Sequence, residues 1–90
     1  MSAKNVENEE KINRAIEMLV PLIENTAMHR NIRRTVKETV ENLKDKSLGP
    51  GVRAANAISI LEEISQDPNV PSYARVTLWN AISVLEGIRE

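Results

Sequence analysis

Apolar residues return along this chain at intervals of three and four, and no stretch alternates strictly between apolar and polar. That period belongs to the α-helix, whose side chains come back to one face about every 3.6 residues. A first helix is predicted over about Asn5 to Asn25, with Ile12, Ala15, Ile16, Leu19, Leu22 and Ile23 on its core face and Met18 and Val20 widening it. Pro21 lies opposite that face; it cannot donate to the carbonyl of Glu17 and crowds it, which predicts a kink. A second helix, about His29 to Asp45, carries the stripe Ile32, Val36, Val40 and Leu43. The third, about Gly51 to Gln66, presents Ala54, Ala57, Ile58, Leu61 and Ile64. The fourth, about Pro71 to Arg89, buries Ala74, Leu78, Ala81, Ile82, Leu85 and Ile88.

The breaks between these stretches are sharp. Ser47-Leu48-Gly49-Pro50-Gly51 is the strongest, and Asp67-Pro68-Asn69-Val70-Pro71-Ser72 forms a second tight turn, with Pro71 suited to the first turn of the last helix. Shifted by 42 positions, the chain lies over itself without a gap: Ala15-Ile16-Glu17-Met18-Leu19 falls on Ala57-Ile58-Ser59-Ile60-Leu61, Leu22 on Ile64, Asn25 on Asp67 and Met28 on Val70. Arg33 then falls on Arg75, Thr35 on Thr77, Val36 on Leu78, Val40 on Ile82 and Leu43 on Leu85. Such a period with a turn in its middle marks a duplicated helical hairpin. The expectation is an all-α, antiparallel four-helix bundle: one domain over residues 1–90, its two hairpin copies at about 10–45 and 52–88. The turn-then-arginine pattern from Asp67 to Ala74-Arg75 is like that of HEAT repeats, but two repeats are too few for a solenoid, so a compact bundle is expected.

Composition narrows the function more than it defines it. Twelve Lys and Arg against thirteen Asp and Glu leave a net charge of −1, so no global field favours nucleic acid or an anionic membrane. The absence of cysteine excludes disulfides and thiolate chemistry, and the lack of Phe beside one Tyr and one Trp calls for an aliphatic core. The polar, acidic stretch from Met1 to Glu10 is unlike a signal peptide, and no apolar run approaches membrane-spanning length, so a cytoplasmic protein is expected.

Val52-Arg53-Ala54-Ala55-Asn56-Ala57-Ile58-Ser59-Ile60-Leu61, followed by Asp67-Pro68-Asn69-Val70-Pro71, Ala74-Arg75 and Trp79-Asn80, resembles the archaeal uncharacterised protein family numbered zero-one-four-seven. Asn31-Ile32-Arg33-Arg34 fits the same pattern, and the resemblance runs from Ile12 to Ile88. It implies a small helical bundle of archaeal origin and brings no activity or site residues with it. Met28-His29 departs from the second copy, where Val70-Pro71 stands.

Catalysis has little support. His29 is the lone histidine, placed at a helix start with no second ligand at metal spacing. Glu62 and Glu63 are adjacent and point about 100° apart, and Gly49-Pro50-Gly51 lacks the strand and the Lys-Ser/Thr of a phosphate loop. No enzyme, metal or cofactor is expected.

Three surfaces remain. Arg30, Arg33, Arg34, Lys37 and Lys44 project within about 100° on helix two, a row that could track phosphates. A salt-bridged, solvated face is the plainer account, since Glu41 shares the arc, Glu38 can pair with Arg34, and no aromatics interleave. Arg33, Arg53 and Arg75 each follow an apolar residue near a helix start, where a guanidinium can reach a carboxylate or carbonyl across a hairpin, with Asp67 a natural partner for Arg75. A structural role is expected for Arg53, Asp67 and Arg75. Helix four carries Tyr73, Val76, Trp79 and Val84 outside its core stripe, either covered by neighbouring helices or exposed as an interface. The expectation is a non-enzymatic protein-interaction module that self-associates or binds a protein partner, with nucleic-acid binding through the basic face of helix two as the alternative.

Overall fold

The computed structural model describes the backbone of residues 3–89 and the side chains of residues 5–89. Four helices, α1 (Ala3–Glu24), α2 (Arg30–Leu43), α3 (Pro50–Ser65) and α4 (Ser72–Glu86), account for most of the chain, and no strand occurs among the described residues. α1 packs on α2 and α4, α3 packs on α2 and α4, and α1 also touches α3, the contacts of a four-helix bundle. The body measures 41 × 20 × 18 Å.

Local chemistry explains where each helix starts. His29 precedes α2 and accepts the N–H of Asn31 on its ring Nδ1 at 3.3 Å, covering a donor that the first turn leaves free. Pro50 takes the first position of α3, where a missing N–H costs nothing. Pro71 stands just before α4 in an extended conformation rather than inside its first turn, and its carbonyl accepts the N–H of Arg75 at 3.0 Å. α1 runs on through Pro21, an exposed residue, to Glu24.

Both outer ends of the pattern differ from the sequence expectation. α1 reaches back to Ala3, and α4 stops at Glu86, three residues before the Arg89 expected from periodicity. Gly87 caps α4, and beyond it Asn8, only 2% exposed, donates Nδ2 to the carbonyl of Arg89 at 2.7 Å while its Oδ1 accepts the N–H of Arg89 at 3.3 Å. Lys11 Nζ donates to the carbonyl of Gly87 at 2.8 Å. These bonds hold the last described residues against the start of α1, so Ile88 is half-buried instead of fully enclosed.

The core is aliphatic and continuous through all four helices. Positions related by the 42-residue shift are buried alike: Ala15 with Ala57, Leu19 with Leu61, Leu22 with Ile64, Met28 with Val70, Val36 with Leu78, Val40 with Ile82 and Leu43 with Leu85. Thr39 joins them at 0% exposure by donating its hydroxyl to the carbonyl of Thr35 at 2.8 Å. Among the described residues, no buried side-chain nitrogen or oxygen lacks a partner. Leu61→Ala is expected to lower stability by about 2–5 kcal/mol, and Leu19→Ala by a similar amount, measured by denaturant unfolding. An unchanged midpoint for either would place that side chain outside the core.

Candidate functional site

The connections between helices share one geometry, and it is built on the arginines. Asn25, Asp45 and Asp67 each accept a backbone N–H two residues on, at Ala27 (2.9 Å), Ser47 (3.0 Å) and Asn69 (2.8 Å). Their own carbonyls accept the N–H groups of Met28, Leu48 and Val70. Eight residues after each Asn or Asp comes Arg33, Arg53 or Arg75, whose guanidinium turns back to the carbonyl of Met28 (3.2 Å), Leu48 (2.9 Å) or Val70 (3.2 Å). The same turn therefore occurs at all three connections, including the link between α2 and α3. Asp67 does meet Arg75, but through its carbonyl at 3.2 Å; its carboxylate is occupied by Asn69.

Beyond that shared bond the three guanidinium groups differ. Arg53, 3% exposed, donates Nη1 to the carbonyl of Leu43 at 3.0 Å and pairs both terminal nitrogens with the carboxylate of Glu9. Arg75 donates Nε to the carbonyl of Ser65 at 2.6 Å and Nη2 to Asp67 and Val70. Arg33 uses Nε alone, and its terminal nitrogens make no hydrogen bond or ion pair among the described residues.

Glu9 is the residue that periodicity missed. The hydrogen bond from Arg53, then that from Lys46 at 2.9 Å, holds its carboxyl below the ordinary value of 4.5. Asp45 is likewise held below 3.8 by the hydroxyl and N–H of Ser47. The 42-residue shift carries no signal for Glu9, which it sets on Gly51.

The basic face of α2 forms no ion pair among the described residues, although Glu41 shares its arc. Arg30, Arg34, Lys37 and Lys44 are exposed and Arg33 half-buried, and none pairs with a carboxylate among the described residues. The expected Arg34–Glu38 pair is not formed, in keeping with the small gain from exposed pairs one turn apart. Arg30, Arg33, Arg34 and Lys37 surround a depression of about 500 Å³ that reaches Ile23 on α1.

On α4, Tyr73, Val76 and Trp79 are 54%, 51% and 54% exposed, so neighbouring helices do not cover this face. The hydroxyl of Tyr73 accepts from Asn25 Nδ2 at 2.6 Å. Val84 is the exception: it is half-buried and packs against the core, so its side chain does not extend the exposed row. A depression of about 400 Å³ between α3 and α4 joins Trp79 to Glu62, Gln66 and Glu86.

No group of three or more His, Asp or Glu able to hold a metal occurs among the described residues, and none of the helices is long and apolar enough to cross a membrane. What the geometry defines is an all-α protein of four packed helices with two dissimilar outer faces. The chain belongs to the uncharacterised protein family UPF0147, whose model matches residues 1–88. It is 52% identical to a UPF0147 protein of Sulfurisphaera tokodaii over 84 residues, covering 93% of this chain and 94% of that one. A UPF0147 protein of Aeropyrum pernix is 51% identical over 84 residues, covering 93% and 92%. The crystal structure of MMP1188, a protein of unknown function, superposes with a TM-score of 0.84 at 35% identity, over 89% of this chain and 91% of that one.

The Glu9 pair makes stability depend on pH with a definite sign. A carboxyl whose folded pKa lies below its unfolded value stabilises the fold above that unfolded value, and the contribution is lost as pH falls through the folded one. Glu9→Gln is expected to lower the melting temperature at neutral pH, with the gap to the wild type closing below about pH 4. A gap that stays constant down to pH 3 would show that the charge on Glu9 does not contribute.

Proposed function

We propose that this chain is a non-enzymatic interaction protein that self-associates through the outer face of α4. The observation that carries this reading is the row Tyr73, Val76 and Trp79, three large side chains at three-residue spacing on one helix, each about half exposed. Aromatic and aliphatic groups gathered in this way form the centres of interfaces, and tryptophan is prominent among their anchors. The fold itself does not call for them: the 42-residue shift sets Asn31, Arg34 and Lys37 at the same positions of α2. Two copies meeting α4 to α4 would form a two-fold interface, the commonest kind among homo-oligomers.

The scaffold in this reading is an antiparallel bundle of two duplicated hairpins with HEAT-like turns, working in the cytoplasm. Its support is the equal burial of shift-related residues and the recurrence of the arginine turn. A second reading, contact with nucleic acid through α2, is favoured by the basic face that lacks carboxylate partners.

Sedimentation of the wild type and Trp79→Ala tests the main reading. The wild type is expected to gain mass with concentration, and Trp79→Ala to weaken assembly by about tenfold or more, the effect of removing an interface anchor. Its melting temperature should change little at low concentration, because the ring is already half exposed. A wild type that stays monomeric at high concentration would overturn self-association.

A further inference from the structure

Three arginines occupy one position of one recurring turn, and only one of them leaves both terminal nitrogens unengaged among the described residues. Arg53 closes both of its own on Glu9 and the carbonyl of Leu43, and Arg75 engages Nη2 with the carbonyls of Asp67 and Val70. Arg33 is fixed by its Nε bond to Met28 and lies half-buried, with Nη1 and Nη2 unbonded among the described residues. It borders the depression of about 500 Å³ that Arg30, Arg34 and Lys37 complete. We propose that this depression is a phosphate-binding site in which the guanidinium end of Arg33 is the fixed donor and Arg30, Arg34 and Lys37 supply the surrounding charge.

The chemistry of the donors sets the ligand class. A planar guanidinium presents paired N–H groups that match two oxygens of one phosphoryl group, and fixing its Nε on the turn removes much of the freedom such contact would otherwise cost. Four cations around one depression suit an anion of more than one charge. Lys37 lies seven positions after Arg30, about 10 Å along the helix, and Lys44, beyond Glu41, lies about 21 Å from the start of the row. That length fits successive phosphates of a nucleic-acid strand, while the depression alone fits a free polyphosphate; both present the same phosphoryl oxygens.

The shift-related positions strengthen the case. Ile23, Arg30, Arg34 and Lys37 correspond to Ser65, Ser72, Val76 and Trp79, although the buried residues beneath the two sets match closely. The second half thus folds with one cation, Arg75, where the first half gathers four. Packing does not require the other three.

The site deepens the nucleic-acid reading of α2 but can fail separately from it. Arginine side-chain NMR of the whole chain, titrated at low salt with tripolyphosphate, a short oligouridylate and a glutamate peptide of equal charge, distinguishes the outcomes. Both phosphate ligands are expected to shift the Arg33 terminal signals and leave those of Arg53 and Arg75 in place. The double variant Arg34→Glu, Lys37→Glu, with both side chains exposed and therefore compatible with the fold, should weaken phosphate binding by about tenfold or more. Tighter binding of the oligonucleotide, with a slope of log affinity on log salt near about −3, supports a nucleic-acid strand as the source. Tighter binding of tripolyphosphate supports a free polyphosphate. Binding of the glutamate peptide as tight as that of the phosphates overturns the assignment in favour of an acidic protein. Oligonucleotide binding that leaves Arg33 unmoved overturns the site while keeping the α2 reading, and no binding of any phosphate overturns both.

Discussion

The bond from a guanidinium to the carbonyl five residues before it fixes every corner at which this chain turns. Short connections between helices leave main-chain carbonyls without helical partners, and leaving such groups buried and unbonded is costly. An arginine in the first turn of the next helix supplies several donors at fixed angles, so one residue can close the end of one helix and orient the start of the next. Arg53 carries this furthest, reaching the carbonyls of Leu43 and Leu48 as well as Glu9 on α1. Three helices are thereby held at one point. An aliphatic core without phenylalanine offers few distinctive shapes to fix register, and polar corners of this kind supply direction that leucine and alanine do not.

The corner between α4 and α1 has no connecting chain, and a different set of side chains closes it. Asn8 takes both main-chain groups of Arg89, and Lys11 reaches Gly87. Lys11 occupies the place that the 42-residue shift gives to Arg53, so a basic side chain capping a carbonyl is present at all four corners. A lysine suffices here because a single carbonyl is capped and no second set of acceptors has to be matched.

How much of this was legible in the sequence follows from what each residue does. Leu19, Val36, Leu61 and Leu78 lie on apolar stripes of helical period, and all are fully buried. Asn8, Glu9 and Thr39 give no such signal, because periodicity counts polar residues as outward-facing; it cannot foresee partners more than thirty positions away for Asn8 and Glu9, or a hydroxyl satisfied within its own helix for Thr39. The end of α4 differs for a similar reason: the apolar pattern continues to Ile88, but Gly87 caps the helix and a polar side chain from α1 bonds the backbone of Arg89 beyond it. Val84 was placed on the exposed row by its helical angle, whereas its packing against the core depends on neighbours that one helix does not reveal. The arginines were visible as a set, yet what separates Arg33 from Arg53 and Arg75 is where their terminal nitrogens go, and spacing is silent on that.

The matched burial of residues 42 positions apart gives these differences their weight. α1 with α2 and α3 with α4 bury residues of like kind at positions 42 apart, so a contrast between the two pairs on the outside is not dictated by the core. α2 and α4 occupy equivalent places, and one carries arginine and lysine where the other carries valine and tryptophan. An exposed row holding Tyr73, Val76 and Trp79 is unfavourable in water, and a cation cluster without carboxylates is unfavourable to assemble through mutual repulsion. Each half tolerates its own cost while its counterpart shows that the same fold can form without it. The conflict is local, confined to the surface, and opposite in chemical kind on the two faces.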